Sequence, residues 1–162
     1  MEPSAPAGVE IERKYVLPAA PPELEQFPCE RIQQGYVAIA EDGVEVRVRR
    51  RGDKTLLTIK SGPGEVRVEE ELPIDERRFE ALWSLTEGRR LSKTRHLVPL
   101  GDLTAEVDVY DDKLAGLITA EVEFPSPEES ARFVAPEWLG RGATDDARYA
   151  NQSLARSERP PA

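Results

Sequence analysis

Cysteine and histidine each occur only once in this chain of 162 residues, as Cys29 and His96. A single cysteine excludes an internal disulfide, and the two residues together are too few for a zinc site of the usual Cys/His type. With one histidine, a Ser/His/Asp catalytic arrangement is not expected. The chain also lacks the G-x-x-x-x-G-K-[ST] loop of P-loop enzymes, so any phosphate chemistry must use another scaffold.

Long apolar runs and an excess of positive charge are missing as well. No run approaches the roughly 20 residues of a membrane span, and the N-terminal residues lack the basic and apolar order of a signal peptide. The net charge of −9 disfavours nucleic acid and anionic membranes as partners. We therefore expect a bacterial-type cytoplasmic protein, a monomer or homodimer, with no nucleic-acid or membrane partner.

Charged residues at every second position form the strongest pattern that is present. In residues 9–15, Glu10, Glu12 and Lys14 follow this spacing. Successive side chains of a strand point to opposite faces, so these three charges share one face. The spacing recurs along the chain, and with Lys60 the set comprises Glu10, Glu12, Lys14, Glu45, Arg47, Arg49, Arg51, Lys60, Arg67, Glu69, Glu71, Lys93, Arg95, Glu106, Asp108, Glu121 and Glu123.

Periodicity and turn residues predict eight strands and about three helices. The strands are expected at 9–16, 30–40, 44–51, 55–61, 65–72, 91–100, 104–111 and 117–124. Short Gly-containing turns favour antiparallel hairpins between several of them. Asp75 should cap the first helix and Ser126 the second, while the third should cover 147–155. We predict one domain over residues 9–155, with flexible tails at 1–8 and 156–162.

The fold class that these elements indicate is α+β, mainly β: an eight-stranded antiparallel barrel with a charged interior. The alternate faces of the strands are apolar and need a cover, which helices carrying Phe79, Leu82, Trp83, Phe133 and Leu154 could supply. A closed barrel also removes unpaired strand edges. The alternative for any one strand is a solvated polar face with cross-strand Glu/Arg pairs. Acidic and basic residues occur together at high density on most of the strands, which favours an enclosed tunnel over a solvated face.

Such an interior suits a polyanion that is held together with metal ions. Carboxylates are hard oxygen ligands, which Mg²⁺ and Mn²⁺ prefer. Arginine offers planar, bidentate contacts to phosphate oxygens. A dry interior with this many charges would be too costly, so we expect it to hold water, metal and anion.

Residues 10–14 read Glu-Ile-Glu-Arg-Lys, the E-x-E-x-K signature of the CYTH superfamily, also called triphosphate tunnel metalloenzymes. The chain resembles this family over about residues 9–155 and is most similar to its short, single-domain bacterial branch. One such motif would be weak evidence, but the order of many is specific. The supporting stretches are IQQGY at 32–36, VRVRR at 46–50, LTIK at 57–60, RVEEE at 67–71, KTR at 93–95, EVDVY at 106–110, AEVE at 120–123 and DARYAN at 146–151.

The resemblance implies roles for particular side chains. It implies an eight-stranded tunnel that binds triphosphate with a divalent metal, Mg²⁺ or Mn²⁺. The expected phosphate ligands are Lys14, Arg47, Arg49, Lys60, Arg67, Lys93 and Arg95. The expected metal ligands are Glu10, Glu12, Glu121 and Glu123, with Glu106 and Asp108 supporting or joining them. In the short branch, a lysine and a tyrosine act together on water, and these would be Lys14 and Tyr36; a wall tyrosine with a structural bond is the alternative for Tyr36.

The expected activity is metal-dependent hydrolysis of inorganic triphosphate (tripolyphosphate) to pyrophosphate and phosphate. Little outside the tunnel elements is available to bind a nucleoside or thiamine. Thiamine triphosphatase and class IV adenylate cyclase are therefore the enzyme alternatives rather than the first choice. A non-catalytic module that binds triphosphate or polyphosphate is an alternative of another class, and the presence of both Glu pairs argues against it.

Overall fold

The computed structural model describes residues 7–162, so most of the predicted N-terminal tail, residues 1–6, lies outside the described residues. Each of the eight predicted strands is present, and a short ninth is added. The strands are β1 Val9–Val16, β2 Cys29–Ile39, β3 Glu45–Arg51, β4 Lys54–Lys60, β5 Val66–Pro73, β6 Arg90–Leu100, β7 Leu103–Tyr110, β8 Ile118–Glu123 and β9 Arg141–Gly142. The helices are α1 Glu76–Trp83, α2 Pro127–Arg132 and α3 Asn151–Arg156.

The strands close into the antiparallel barrel that the sequence predicts. Their order is β5-β4-β3-β2-β6-β7-β8-β1-β9, and β1 also pairs with β5. Three residue pairs, from Val9↔Val68 to Ile11↔Val66, make this closing seam. Beyond Ile11, β1 turns to β8 and pairs through five residues, Glu12 to Val16. Strand β1 therefore links β5 to β8 and closes the barrel. The Glu10–Lys14 signature lies where the pairing of β1 changes from β5 to β8.

Helices α1 and α2 begin where their capping residues predict. The side chain of Asp75 accepts a hydrogen bond from the backbone N–H of Arg78 at the start of α1, and Ser126 accepts from Glu129 N–H at the start of α2. Phe79 of α1 is buried, and α1 packs on the outer face of β2, β3 and β4. The caps satisfy N–H groups that have no partner inside the helix.

The third helix is shorter than predicted. A single 3₁₀ turn covers Ala147–Tyr149, Ala150 is extended, and α3 follows from Asn151. The expectation that Leu154 covers the outer wall is wrong. Leu154 is fully buried in a cluster with Tyr36 and inward-facing Tyr110, because the C-terminal segment (residues 147–156) packs with α3 against β2 and β6. Ser157 Oγ donates to Ser153 O, and the predicted flexibility of 156–162 stays a prediction.

The expected helical cover of the outer wall is incomplete. On β1 and β6–β8 the wall is covered: Val107 and Val122 are fully buried, and Phe133 packs against their cluster. On β4 and β5, Ile59, Val66 and Val68 are 44–56% exposed. Helix α1 is only eight residues long and reaches the wall over β2–β4, which leaves β5 outside its footprint. Within residues 7–162, no helix is long and apolar enough to cross a membrane.

Candidate functional site

The barrel interior contains two cavities that meet near its centre. The larger is about 450 Å³ and is bounded by the β2–β3 and β4–β5 turns and by the C-terminal segment. The smaller is about 110 Å³ and lies among charged side chains of the strands. Both are lined by Glu12, Arg47, Lys60, Glu121 and Asn151. Four of these five residues belong to the alternating charged set, so the register of the strands brings the predicted residues to one place.

Two arginines of β3 reach into this interior with unused hydrogen-bonding capacity. Arg47 and Arg49 are 4% and 6% exposed. Their Nε atoms are buried and have no hydrogen-bond partner among the described residues. Arg49 forms an ion pair with Glu71 at 3.2 Å. Burial, and then the neighbouring Arg47 and Arg95, lower the pKa of Arg49 to about 10. Buried cations without full compensation are costly, so this part of the interior favours a bound anion.

Lys60 and Glu10 form a close pair on facing strands. The Nζ atom of Lys60 lies 2.6 Å from Glu10 Oε1 and 3.3 Å from Glu69 Oε2. Burial raises the pKa of Glu10 to about 7, although Lys60 acts in the opposite direction. Burial by itself would lower the pKa of Lys60, but Glu12 and Glu10 outweigh it and the pKa is raised. Lys60 therefore stays charged beside a carboxyl that is easily protonated.

Asp108 holds the two predicted bases of β6. Arg95 binds it through two hydrogen bonds, Nε to Oδ1 at 2.8 Å and Nη2 to Oδ2 at 2.9 Å. Lys93 Nζ lies 2.8 Å from Oδ2. Burial would raise the pKa of Asp108, but Arg95 and Lys93 prevail and lower it. Burial lowers the pKa of Lys93 to about 8. The Asp108 oxygens thus contact both bases, and Asp108 orients Arg95 toward the interior.

Three carboxylates converge at the centre. One oxygen from each of Glu12, Glu106 and Glu121 lies within 4.8 Å of the others. Burial, followed by the charge of Glu121, raises the pKa of Glu12 well above its usual value. Burial also raises the pKa of Glu106. Carboxylates this close repel one another unless a proton or a cation lies between them. Hard oxygen donors at this spacing fit a divalent cation such as Mg²⁺ or Mn²⁺.

The other predicted metal ligands lie around this group. Glu10 is engaged by Lys60, as described above. Asp108 is engaged by Arg95 and Lys93. Glu123 pairs with Glu12 across β1 and β8 and is exposed at the rim. The structure thus brings Glu12, Glu106 and Glu121 together and places Glu10, Asp108 and Glu123 beside them with other contacts.

The two predicted catalytic residues bond to different partners. Lys14 Nζ donates to the backbone oxygen of Tyr149 at 2.5 Å and lies 3.6 Å from Glu121 Oε1. Tyr36 is fully buried, and its hydroxyl accepts a hydrogen bond from Gln34 Nε2 at 2.8 Å. Burial, with a smaller contribution from Glu45, raises the pKa of Tyr36. Tyr36 therefore holds its proton, and Lys14 is the member of the pair that lines the larger cavity.

Arg67 is placed at the edge of the larger cavity and is largely occupied. Its Nε donates to the backbone oxygens of Ser61 and Gly62, both at 3.1 Å. Its Nη2 donates to Ser61 O at 2.8 Å and to Glu45 Oε1 at 3.2 Å. These bonds hold the β4–β5 turn against the barrel. The geometry of Arg67 is that of a turn-holding residue that borders the site.

The sequence did not indicate that Asn151 and Gln152 of the C-terminal segment would contact residues of the barrel. Asn151 Nδ2 donates to Glu121 Oε1 at 3.4 Å, and Gln152 Nε2 donates to Gly43 O at 3.0 Å and to Glu45 Oε2 at 3.3 Å. Asn151 lies in the DARYAN stretch, which was the only signal available. Glu45 follows the alternation with Arg47, a pattern that placed it on the inner face without indicating a role.

A closed antiparallel barrel with interleaved acids and bases inside defines a tunnel protein of the triphosphate tunnel metalloenzyme class. No family model matches the chain. An inorganic triphosphatase of Nitrosomonas europaea is 42% identical over 151 residues, which are 91% of this chain and 97% of that protein. An inorganic triphosphatase of Acetivibrio thermocellus is 36% identical over 154 residues, which are 93% of this chain and 95% of that protein.

The same relationship is seen among solved structures. The structure of the inorganic triphosphatase NE1496 matches with a TM-score of 0.68 and 38% identity, over 91% of this chain and 95% of that one. The chain belongs to the inorganic triphosphatase family of the CYTH superfamily. The family assignment made from the sequence motifs is thereby confirmed.

Proposed function

We propose that the protein is a divalent-metal-dependent triphosphatase that hydrolyses inorganic triphosphate to pyrophosphate and phosphate inside the barrel. One observation carries the proposal: the buried Arg47 and Arg49, whose Nε atoms have no hydrogen-bond partner within residues 7–162, share the smaller cavity with Glu12, Glu106 and Glu121. An anion site and a cation site in one cavity suit a polyphosphate that binds with its metal. The relatives named inorganic triphosphatase support this choice of substrate.

The bases of the tunnel would hold the phosphates. Arg47, Arg49, Lys60 and Arg95 line the smaller cavity, and their donors would bind the oxygens of the chain. Positive charge that is already in place stabilises the charge that develops on transferred phosphoryl oxygens. Lys93 and Arg67 would act from the periphery, Lys93 through Asp108 and Arg67 through the β4–β5 turn.

Glu12, Glu106 and Glu121 would hold Mg²⁺ or Mn²⁺, with Glu10, Asp108 and Glu123 as further candidates. Held by these carboxylates, a divalent cation would supply charge neutralisation and Lewis-acid polarisation at the phosphate. The chain's own task is to present these carboxylates at short range while Lys60 and Arg95 keep the neighbouring acids paired.

The reaction would be in-line attack of water on a terminal phosphorus. The water oxygen forms the new P–O bond, the bridging P–O bond breaks, and pyrophosphate leaves. Lys14, which lines the larger cavity, would orient the water or accept its proton, and Tyr36 would assist it. Since burial keeps Tyr36 protonated, its hydroxyl would act as a hydrogen-bond donor rather than as the base.

The test is release of phosphate from tripolyphosphate, thiamine triphosphate, ATP or pyrophosphate, each with Mg²⁺, Mn²⁺ or EDTA. The proposal expects rapid turnover of tripolyphosphate that EDTA abolishes, and little release from the other three substrates. Preferred turnover of thiamine triphosphate or ATP would contradict the substrate choice. Tight tripolyphosphate binding without any release would make the protein a binding module.

We also propose a cytoplasmic location, and a monomeric or homodimeric state, with no nucleic-acid partner. Support comes from the single cysteine, which is free and exposed at the start of β2, and from the net charge of −9. Gel filtration with light scattering measures the oligomeric state directly.

A further inference from the structure

Asn151 occupies the point where the two cavities meet. It is the first residue of α3 and one of the five side chains that line both cavities. The other four are charged residues of the strands. Asn151 is thus the contribution of the C-terminal segment to the centre of the site, and it is polar without being charged.

The amide of Asn151 links two strands through opposite ends. The hydroxyl of Tyr110, on β7, donates to Asn151 Oδ1 at 3.0 Å. Tyr110 is itself held by Thr119 Oγ1 at 3.2 Å. Because the amide oxygen is used in this way, the NH₂ group faces Glu121 on β8 and donates to Oε1 at 3.4 Å. The direction of the amide follows from the Tyr110 bond.

Asn151 is the nearest of the three nitrogen donors that contact Glu121 within residues 7–162, and the other two are cations. Lys14 Nζ lies 3.6 Å from Oε1, and Arg95 Nη2 lies 3.5 Å from Oε2. These are charge contacts with weak directional preference. A carboxylate that binds Mg²⁺ must place an oxygen at about 2.0–2.1 Å in near-octahedral geometry. Hydrogen bonds from neighbouring groups are what fix such ligands in place.

We infer that Asn151 is a positioning residue for the divalent cation, because its amide orients the Glu121 carboxylate toward Glu12 and Glu106. This inference rests on the proposed function for the identity of the ligand group. It adds a residue from outside the barrel strands to the site. It also gives the C-terminal segment a part in metal binding in addition to its packing against β2 and β6.

The alternative is that Asn151 only anchors the C-terminal segment, and Gln152 provides a matched control. Gln152 is the next residue of the same helix and also donates its amide, to Gly43 O and Glu45 Oε2. Asn151→Ala and Gln152→Ala each remove one amide anchor from the segment. Only the first removes the contact to Glu121. Alanine is a strong helix former, so α3 is expected to persist in both variants.

The experiment measures Mn²⁺ binding directly, from the electron paramagnetic resonance signal of free Mn²⁺, for the parent, Asn151→Ala, Gln152→Ala and Tyr110→Phe. Asn151→Ala should weaken Mn²⁺ binding by about 10-fold or more, and Gln152→Ala should leave it within about twofold. Tyr110→Phe should also weaken Mn²⁺ binding. The double variant Tyr110→Phe/Asn151→Ala should bind Mn²⁺ no more weakly than Asn151→Ala alone. Melting temperatures in EDTA should be similar for the two alanine variants.

Unchanged Mn²⁺ binding in Asn151→Ala would overturn the inference, as would an equal loss in Gln152→Ala. A parent protein that binds no Mn²⁺ would overturn it as well. A parent that binds Mn²⁺ but releases no phosphate from tripolyphosphate contradicts the proposed function alone. In that case the comparison of the two alanine variants still decides the role of Asn151.

Discussion

Lys93 and Asp108 form an ion pair inside the barrel, with Nζ 2.8 Å from Oδ2 and both side chains fully shielded from solvent. The two partners are not equivalent, because Asp108 also binds Arg95 through two hydrogen bonds. Asp108 therefore balances the charge of two buried cations, Lys93 and Arg95. Lys93 is only one of the two cations that balance the charge of Asp108. This asymmetry determines how the pair responds to substitution.

Asp108→Asn should destabilise the fold much more than Lys93→Met. Removing the shared anion leaves Lys93 and Arg95 buried without it, and loss of one partner in such a pair costs about 3–5 kcal/mol. Lys93→Met leaves Asp108 bound to Arg95 and removes a cation whose pKa burial already lowers to about 8. Urea unfolding followed by fluorescence gives both free energies of unfolding. A loss in Lys93→Met as large as that in Asp108→Asn would contradict the asymmetry.

Arg49→Met should separate stability from anion binding. Burial lowers the pKa of Arg49 to about 10, so the cation is costly when no anion is bound beside it. We expect the melting temperature without tripolyphosphate to stay the same or rise. The increase in melting temperature on adding tripolyphosphate should become smaller. Thermal unfolding with and without tripolyphosphate measures both.

Arg50→Met is the control for that substitution. Arg50 is the next residue of β3, faces outward, stacks over Phe79 at 4.5 Å and pairs with Glu76 and Glu80. The Arg50→Met substitution should lower the melting temperature slightly. Tripolyphosphate should still raise the melting temperature of this variant as much as it does in the parent. If Arg49→Met also keeps the full effect, Arg49 does not bind the phosphates.

Tyr36→Phe should reduce kcat while leaving KM nearly unchanged. The substitution removes the hydroxyl that bonds to Gln34 but keeps the ring in its cluster with Leu154. Loss of a positioned proton donor or acceptor lowers a rate on the order of 10²–10⁴-fold. Steady-state kinetics with tripolyphosphate measure this, with Tyr15→Phe on the outer face of β1 as control. An unchanged kcat in Tyr36→Phe would assign the residue a structural role only.

Gly35→Ala should destabilise the protein through Thr86. A Cβ at position 35 would lie 2.6 Å from Thr86 Oγ1 and 2.7 Å from Thr86 Cβ, and Thr86 is fully buried. Overpacking of this kind costs about 1–3 kcal/mol. Gly142→Ala, where a Cβ meets nothing within 4 Å, is the control. In chemical denaturation, Gly35→Ala should reduce the free energy of unfolding less in a Thr86→Gly background than in the parent. If the effects of the two substitutions simply add, position 35 does not contact Thr86.

Arg148→Gln should raise the pKa of Asp146. The pKa of this carboxyl is lowered from 3.8 to about 2, chiefly by its hydrogen bond with Arg148. Since the folded-state pKa lies below the unfolded value, the pair stabilises the fold above about pH 4, and this contribution is lost as the pH falls toward 2. A carbon-detected NMR titration should show a larger shift for Arg148→Gln than for Arg141→Gln, whose guanidinium lies farther away at 3.6 Å. Equal shifts would assign the effect to charge alone.

The barrel could be predicted because its determinants are periodic. Alternation in β1 gave bounds of 9–16, which the structure reproduces, and Asp75 and Ser126 marked their helix starts. The inward position of Glu12, Arg47 and Glu121 followed from the same alternation. Periodicity reports which face a side chain occupies, and this was sufficient to place the charges in one interior.

What the sequence could not reveal depends on backbone atoms and on segment geometry. The partner of Lys14 is a backbone oxygen, that of Tyr149, which has no signature in residue types. The two-residue strand β9 is too short to show a period. Ala150 interrupts the last predicted helix by adopting an extended conformation, although alanine favours helices. In that segment, contacts with the barrel end determine the conformation rather than local propensity.

The closing seam between β1 and β5 spans only three residue pairs, and its middle pair joins Glu10 to Arg67. Strand β1, which closes the barrel, therefore also carries Glu10, Glu12 and Lys14 of the site. Any widening of the cylinder at this seam moves Glu10 away from β5 and shifts Glu12 and Lys14 with it. Strand β1 both closes the barrel and positions the charged side chains of the site. Opening of the barrel at this seam would therefore also displace those side chains.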